Sequence, residues 1–379
     1  MRRPTAALPL GLLLAACAAT PSAAPASSSA TPSPSTAASA SAAASTTAAA
    51  VGTSASDPEA ACAAPAAPDP STPAGFLGWM AAHPDQVSLV LGTDAHLPDT
   101  DRPLASARKV VHLAAWAAAV RDGVLVADRT VPVADWERWY LPGTDGGAHV
   151  AALTRLGIAH DGVRATDPTA AVPLSDVVSA MIRESDNAAP DLLRDLLGPE
   201  ALAATAAELG WAGAPTASFL GDFLTLLEPT VGDPEAAARR YVDDPAEAAR
   251  VQSLPLPAPA VQAEWAAGST SGSAAGLAAM HAAISAGGLP EARAQLEWQP
   301  APAGHAGLGF KGGSLPGVLA EAVALRPETG ADTVGVLLVQ GLSPDEWSAA
   351  LAAGLTHQQV MLAAMTDPAA ARQLDCALA

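Results

Sequence analysis

The chain has 379 residues, enough for one large domain or two small ones; half are hydrophobic, but alanine supplies much of that and aromatics only 4%. A net charge of −19 argues against nucleic acid as a partner, and the scattered acidic residues read as a solvated surface. The eight histidines and three cysteines show no metal-ligand spacing, and no Walker-type glycine loop is present, so no metal or cofactor is expected.

Met1-Arg2-Arg3 followed by an apolar run over 6–16 has the shape of a signal peptide and is too short to span a bilayer. The run ends Leu14-Ala15-Ala16-Cys17, which resembles a bacterial lipobox. That resemblance implies cleavage after residue 16, lipidation of Cys17, and a lipid-anchored protein on the extracytoplasmic face of the cell membrane. An ordinary signal peptide cleaved nearby is the alternative. Residues 17–70 are rich in Ala, Ser, Thr and Pro and poor in large apolar side chains. They bury too little surface to offset ordering entropy and read as a disordered tether. The folded part is expected over 71–379.

Within it, helices are predicted over 75–83 and 105–120, the second stopped by Gly123, with an apolar strand over 87–92 between them. Residues 124–133 read as strand or loop, and 136–147 as a turn-rich loop carrying Trp136, Trp139 and Tyr140. Helices follow over 173–183, with Ser175 as a candidate cap, then 191–197 and 199–209. Residues 229–259 read as proline-punctuated loop with one helix over 234–241. A capped helix over 271–284, strands over 307–310, 319–325 and 333–339, and one helix over 344–365 complete the chain. Strands at both ends with helices between them predict an α+β domain whose sheet mixes early and late strands.

Three short motifs stand out. The first is Ser106-Ala-Arg-Lys109, the second Ser185-Asp186-Asn187, the third Lys311-Gly312-Gly313-Ser314 at the end of an apolar strand. Lys109 and Lys311 are the only two lysines, against seventeen arginines. Arginine stays protonated, whereas a buried lysine beside another cation can lose its proton and serve as a base. A serine hydroxyl needs such a base, and positions i and i+3 of a helix share a face, which places Lys109 beside Ser106. Each motif alone also has a bland reading: a helix entry, a snorkelling lysine, a helix cap, a hairpin turn. Their joint occurrence, with both lysines consumed, favours chemistry.

In this order the motifs resemble those of the serine β-lactamase and penicillin-binding protein superfamily, and most closely class A β-lactamase-like serine hydrolases. The resemblance extends over Gly198-Pro-Glu-Ala-Leu and over 272–289, and runs from about residue 74 to the C-terminus. It implies a β-lactamase/D,D-peptidase-like fold: an antiparallel sheet flanked by helices, plus an all-α subdomain. It also implies Ser106 as nucleophile, Lys109 as base, Ser185 as proton relay and Lys311 as a charge near Ser185 and a substrate carboxylate. Asn187 would bind a substrate amide, and the backbone N–H groups of Ser106 and Ser314, beside Gly313, would form an oxyanion hole. The first and last helices pack together in such folds, so a Cys62–Cys376 disulfide is expected in an oxidising compartment.

The chain also departs from that pattern. Gly312 stands where Thr or Ser is usual, with Ser314 as a possible substitute hydroxyl, and Leu319-Ala-Glu321-Ala lacks the arginine common on the next strand. No Glu-x-x-Leu-Asn sequence follows the second motif; Asp222 and Glu228 are the candidates for a deacylation base. Trp136, Trp139 and Tyr140 are read as an aromatic wall at the cleft mouth, or as core packing, and Asp145 to His149 as polar groups on the same rim. The expectation is an exported, monomeric serine hydrolase acting through a Ser106 acyl-enzyme on a cell-wall peptide, β-lactam or ester, with weak β-lactamase turnover. The alternative is a catalytically feeble penicillin-binding-like module that binds a peptidoglycan fragment or a protein.

Overall fold

Residues 318–327 alternate large and small side chains, Val-Leu-Ala-Glu-Ala-Val-Ala-Leu, and this period of two gives the sheet two buried faces. The computed structural model describes Cys62 and residues 64–379; the signal-like segment, Cys17 and the tether through residue 61 lie outside the described residues. The main sheet comprises β1 (Val87–Leu91), β2 (Asp94–His96), β3 (His305–Leu315), β4 (Val318–Pro327) and β5 (Thr333–Val339). It is antiparallel in the order β2-β1-β5-β4-β3. Early strand β1 pairs with late strand β5, Leu89 opposite Leu337, so the predicted mixing of the two chain ends is observed.

The helices are α1 (Pro73–Ala82), α2 (Lys109–Arg121), α3 (Val133–Glu137), α4 (Ala148–Arg155), α5 (Leu174–Arg183), α6 (Ala188–Leu197), α7 (Pro199–Glu208) and α8 (Phe219–Leu227). They continue with α9 (Pro234–Asp243), α10 (Pro245–Gln252), α11 (Pro259–Ala267), α12 (Ala274–Ser285), α13 (Pro290–Leu296), α14 (Pro344–Ala352), α15 (Thr356–Thr366) and α16 (Pro368–Leu378). Leu319, Val323 and Leu325 of β4 pack with Phe76, Trp79, Met361 and Leu374 beneath α1, α15 and α16. Each such fully buried large side chain contributes about 1.5–3 kcal/mol. Ala320 and Ala322 face the other way, toward a larger core built on α2, α6 and α12. Helix α2 is buried on every side from Lys109 to Ala119, as an apolar helix without a polar face must be. The α+β class and the antiparallel sheet flanked by helices are as expected.

Several predicted boundaries shift for local reasons. The expected 344–365 helix is two, α14 and α15, broken where Gly354 (φ 83°) and Leu355 (φ 61°) turn left-handed; α16 follows beyond it, after Asp367-Pro368. The proline-rich stretch after residue 229 is mostly helical, because Pro234, Pro245 and Pro259 each sit at a helix start, where the missing N–H costs nothing. Helix α8 was not foreseen; Ser218 caps it by accepting from Gly221 N. Ser175 does not cap α5, which begins at Leu174 after Pro173 with no side-chain cap. At the N-terminal side, the Ala66 carbonyl occupies the space a side chain at Gly78 would need, and Pro70 O accepts from Thr356 Oγ1 at 2.6 Å. The last residues assigned to the tether therefore pack on α1 and α15. Cys62 and Cys376 are both disulfide-bonded. No helix among the described residues is long and apolar enough to cross a membrane.

Candidate active site

Three elements converge. A 3₁₀ turn, Ala105–Arg108, leads into α2 and carries Ser106; Lys109 is the first residue of α2. Helix α5 ends at Arg183 with Glu184 as its C-cap, and Ser185 follows with φ 69°, the left-handed position that usually terminates a helix as glycine. Asn187 then opens α6. Lys311 lies inside edge strand β3, which continues through Ser314, rather than at a strand end. Gly313 brings this strand against the 3₁₀ turn: a Cβ there would lie 2.5 Å from Ser106 N and 2.6 Å from Leu104 O. Only glycine permits that approach. Ala105, beside Ser106, also has positive φ (46°), so strained backbone lies next to one motif serine and at the other.

Lys109 and Lys311 are fully buried. Lys109 Nζ is 2.9 Å from Ser106 Oγ, 2.6 Å from Ser185 O, 3.1 Å from Ser185 Oγ and 2.6 Å from Asn187 Oδ1. Lys311 Nζ donates to Ser185 Oγ at 3.1 Å and to Gly312 O at 2.7 Å. Burial first, and then the Lys311 ammonium, holds the Lys109 pKa well below the usual lysine value. A lysine so placed can hold a lone pair toward Ser106 Oγ, in which case the 2.9 Å contact runs from the serine hydroxyl to the amine. The structure thus brings together Ser106, Lys109, Ser185, Asn187 and Lys311 through side-chain contacts, and Gly313 through the close approach of its backbone to Ser106 N. Ser314 Oγ accepts from Trp347 Nε1 at 2.8 Å. Asn187 Nδ2 donates to Thr144 O at 3.3 Å.

Other expected residues are elsewhere. Trp136, Trp139 and Tyr140 are not a cleft wall: they are 0%, 3% and 3% exposed and belong to the helical core. Tyr140 stacks on His149, 4.2 Å between centroids, and Trp139 carries Arg138 and Arg239 over its ring. His149 is fully buried rather than at a rim, wedged against Asp186. Asp222 binds Arg108 at 2.6 Å and accepts from Thr270 Oγ1 at 2.7 Å. Glu228 is held by Arg250 at 2.7 Å. Neither carboxylate is left uncommitted. The phenyl ring of Phe219, first residue of α8, sits 4.9 Å from Lys109 Nζ and 3.7 Å from Arg108 Cζ. Asp186 and Asp145 act against the lowering of the Lys109 pKa by burial and Lys311. Asp186 is spent on Trp136, His149 and Ala189 N, Asp145 on Gly147 N and His149 N. At Gly312, a Cβ would lie 2.9 Å from Phe310 Cζ, so that ring fills the room of the missing hydroxyl side chain. Glu321 is directed to the other face of the sheet, under α15. Sequence reasoning missed Phe219, Trp347 and Glu137; apolar residues and surface-like carboxylates carry no spacing signal.

Residues 78–250 match the model of a family described as the beta-lactamase enzyme family. Among solved structures the chain is similar to a beta-lactamase from Sphaerobacter thermophilus, at 18% identity over 75% of this chain and 95% of that one, TM-score 0.49. It is also similar to a beta-lactamase from Desulfarculus baarsii (19%, 77% and 97%, TM-score 0.45) and to PBP-A (16%, 72% and 88%, TM-score 0.43). No protein of curated function matches the chain.

Proposed function

Taking the chain as a β-lactamase-like serine hydrolase, we propose that Ser106 forms an acyl-enzyme with a cell-wall peptide, β-lactam or ester, and that water releases the acyl group slowly. The observation that carries this is Lys109 Nζ, within bonding reach of Ser106 Oγ, Ser185 Oγ and Asn187 Oδ1. Neutral Lys109 takes the Ser106 proton as Oγ adds to the substrate carbonyl. The leaving group receives a proton through Ser185, whose hydroxyl bridges both lysines. Backbone N–H groups of Ser106 and Ser314 hold the oxyanion, and Asn187 orients the substrate amide. Slow release rests on the commitment of Asp145, Asp186 and Asp222 and on Phe219 beside Lys109, where a base and its water would have to stand.

We further propose export and lipid anchoring at Cys17, supported by the apolar run ending Leu14-Ala15-Ala16-Cys17. A second reading, a binding module without turnover, is favoured by Gly312 in the third motif and by the Asn187 Nδ2 contact with Thr144 O. Labelling with a fluorescent penicillin and with a fluorophosphonate separates the two. An adduct mapped to Ser106 and absent from Ser106→Ala supports the enzyme. Absence of any adduct with both reagents removes it and leaves the binding module.

A further inference from the structure

Behind the second motif lies a buried polar chain that the acylation chemistry does not use. Asp186, between Ser185 and Asn187, is fully buried, and its carboxylate is bonded to Trp136, His149 and the Ala189 backbone rather than to Lys109. Its Oδ1 accepts from Trp136 Nε1 at 2.9 Å and from Ala189 N at 2.6 Å. Its Oδ2 lies 2.7 Å from His149 Nδ1, and His149 Nε2 lies 3.1 Å from Glu137 Oε1. Glu137 Oε1 also accepts from Ala165 N at 2.6 Å. Both ring nitrogens of His149 therefore face carboxylate oxygens. A neutral imidazole donates through one nitrogen and would turn a lone pair on the other carboxylate; an imidazolium satisfies both. Burial alone would lower the His149 pKa, but its hydrogen bonds to Asp186 and Glu137 bring it up to about 9.

Two aromatic rings and a further carboxylate around this ring support the cation, while the nearby Arg164 guanidinium opposes it. Tyr140 stacks on it and Trp136 meets it edge-on, 4.7 Å between centroids. Asp145, from the loop before α4, accepts the His149 backbone N–H at 2.7 Å. Arg164 donates to the carbonyls of Glu137 and Tyr140, which fixes α3 beside the imidazole. The same short segment that carries His149 presents Thr144 O to Asn187 Nδ2.

We infer that Glu137–His149–Asp186 is a positioning relay for the active site: a buried imidazolium between two carboxylates that clamps the turn holding Ser185 in its left-handed conformation and Asn187 against Lys109. His149 and Glu137 touch neither substrate nor Ser106; they act through Asp186. Loss of the imidazolium proton turns a ring lone pair on one of the two carboxylates, loosens the Ser185–Asn187 turn, and slows acylation. This rests on Ser106 being the acylated residue.

The test follows Ser106 labelling rates by fluorescent penicillin and fluorophosphonate from pH 6 to 10.5 in the full chain, His149→Gln and Glu137→Gln, with folding checked by thermal melting. Wild type is expected to lose labelling rate as pH rises through about 9. His149→Gln is expected to label on the order of ten- to a hundredfold more slowly at neutral pH, with reagent affinity little changed and the alkaline fall absent. Glu137→Gln removes one of the two anions and moves the alkaline fall to lower pH, and it keeps the test open if His149→Gln does not fold. Folded variants that label at the wild-type rate with the wild-type pH profile overturn the relay. Wild type that never labels overturns the acylation reading itself, a result distinguishable from an unchanged profile.

Discussion

Lys109 and Lys311 reach the same oxygen: the Ser185 hydroxyl lies 3.1 Å from each ammonium nitrogen. Two cations on one buried hydroxyl favour loss of a proton by one of them, and burial plus Lys311 lowers Lys109. Acylation should then rise with pH through the lowered Lys109 pKa. Lys311→Met removes the second charge and should move that rise to higher pH. Lys109→Ala should reduce Ser106 labelling by at least about a hundredfold, and Lys109→Arg should not restore it, because guanidinium does not deprotonate. Stopped-flow labelling across pH reads all three.

Phe219 and the committed carboxylates bear on release. The expected behaviour with nitrocefin is a burst of about one equivalent per active site followed by slow turnover, with no burst in Ser106→Ala. Robust steady-state hydrolysis abolished by Ser106→Ala would contradict the slow-release reading.

Gly313 makes a sharp structural prediction. A Cβ there meets Ser106 N, Leu104 O and Ala107 N at 2.5–2.7 Å, all backbone atoms that cannot swing aside. Gly313→Ala should cost about 1–3 kcal/mol of stability and lower Ser106 labelling even where the protein folds. Gly312→Thr should be milder, since its nearest neighbour is the end of the Phe310 ring. Chemical denaturation with parallel labelling distinguishes the two.

Glu321 is buried with both carboxylate oxygens unpartnered, opposite Gln358, whose amide is also unpartnered. Burial pushes its pKa up to about 8, from an ordinary 4.5. Between these values the folded chain holds a proton that the unfolded chain has lost, so stability falls as pH rises from 4.5 to about 8. Glu321→Gln removes that dependence. Its melting temperature should exceed wild type at pH 8–9 by an amount worth a few kcal/mol, and the gain should shrink toward pH 5.

The anchoring proposal is tested in cells. Wild type expressed in a bacterium with the lipoprotein pathway should incorporate radiolabelled palmitate and sediment with membranes. Cys17→Ala should incorporate none and be released. Equal release of both proteins would remove the anchor.

Much of this site was legible because its residues are chemically marked. Two lysines in a chain of seventeen arginines, each inside a short polar motif, identify themselves, and the structure joins them to Ser106, Ser185 and Asn187. Strands β1, β4 and β5 were legible from apolar runs rich in valine and leucine, but only 307–310 of the glycine-rich β3 was, and the short polar β2 was not. Trp139, Tyr140 and His149 were misplaced because an aromatic or a histidine in a glycine-rich stretch has the same sequence signature at a rim and in a core. Helices α14 and α15 were read as one because a lone glycine such as Gly354 is tolerated inside a helical pattern, and nothing local marks the left-handed φ of buried Leu355 beside it.

By itself, then, the sequence determined the layered α+β class, the three motifs and the identity of the nucleophile and base candidates, since these depend on local residue chemistry and short-range period. Only the tertiary structure decided what surrounds them. The Asp186–His149–Glu137 chain joins residues 37 and 12 positions apart, and Phe219 reaches Lys109 from a helix more than a hundred residues away. Such pairings arise from how buried surfaces close on one another, and no local spacing encodes them.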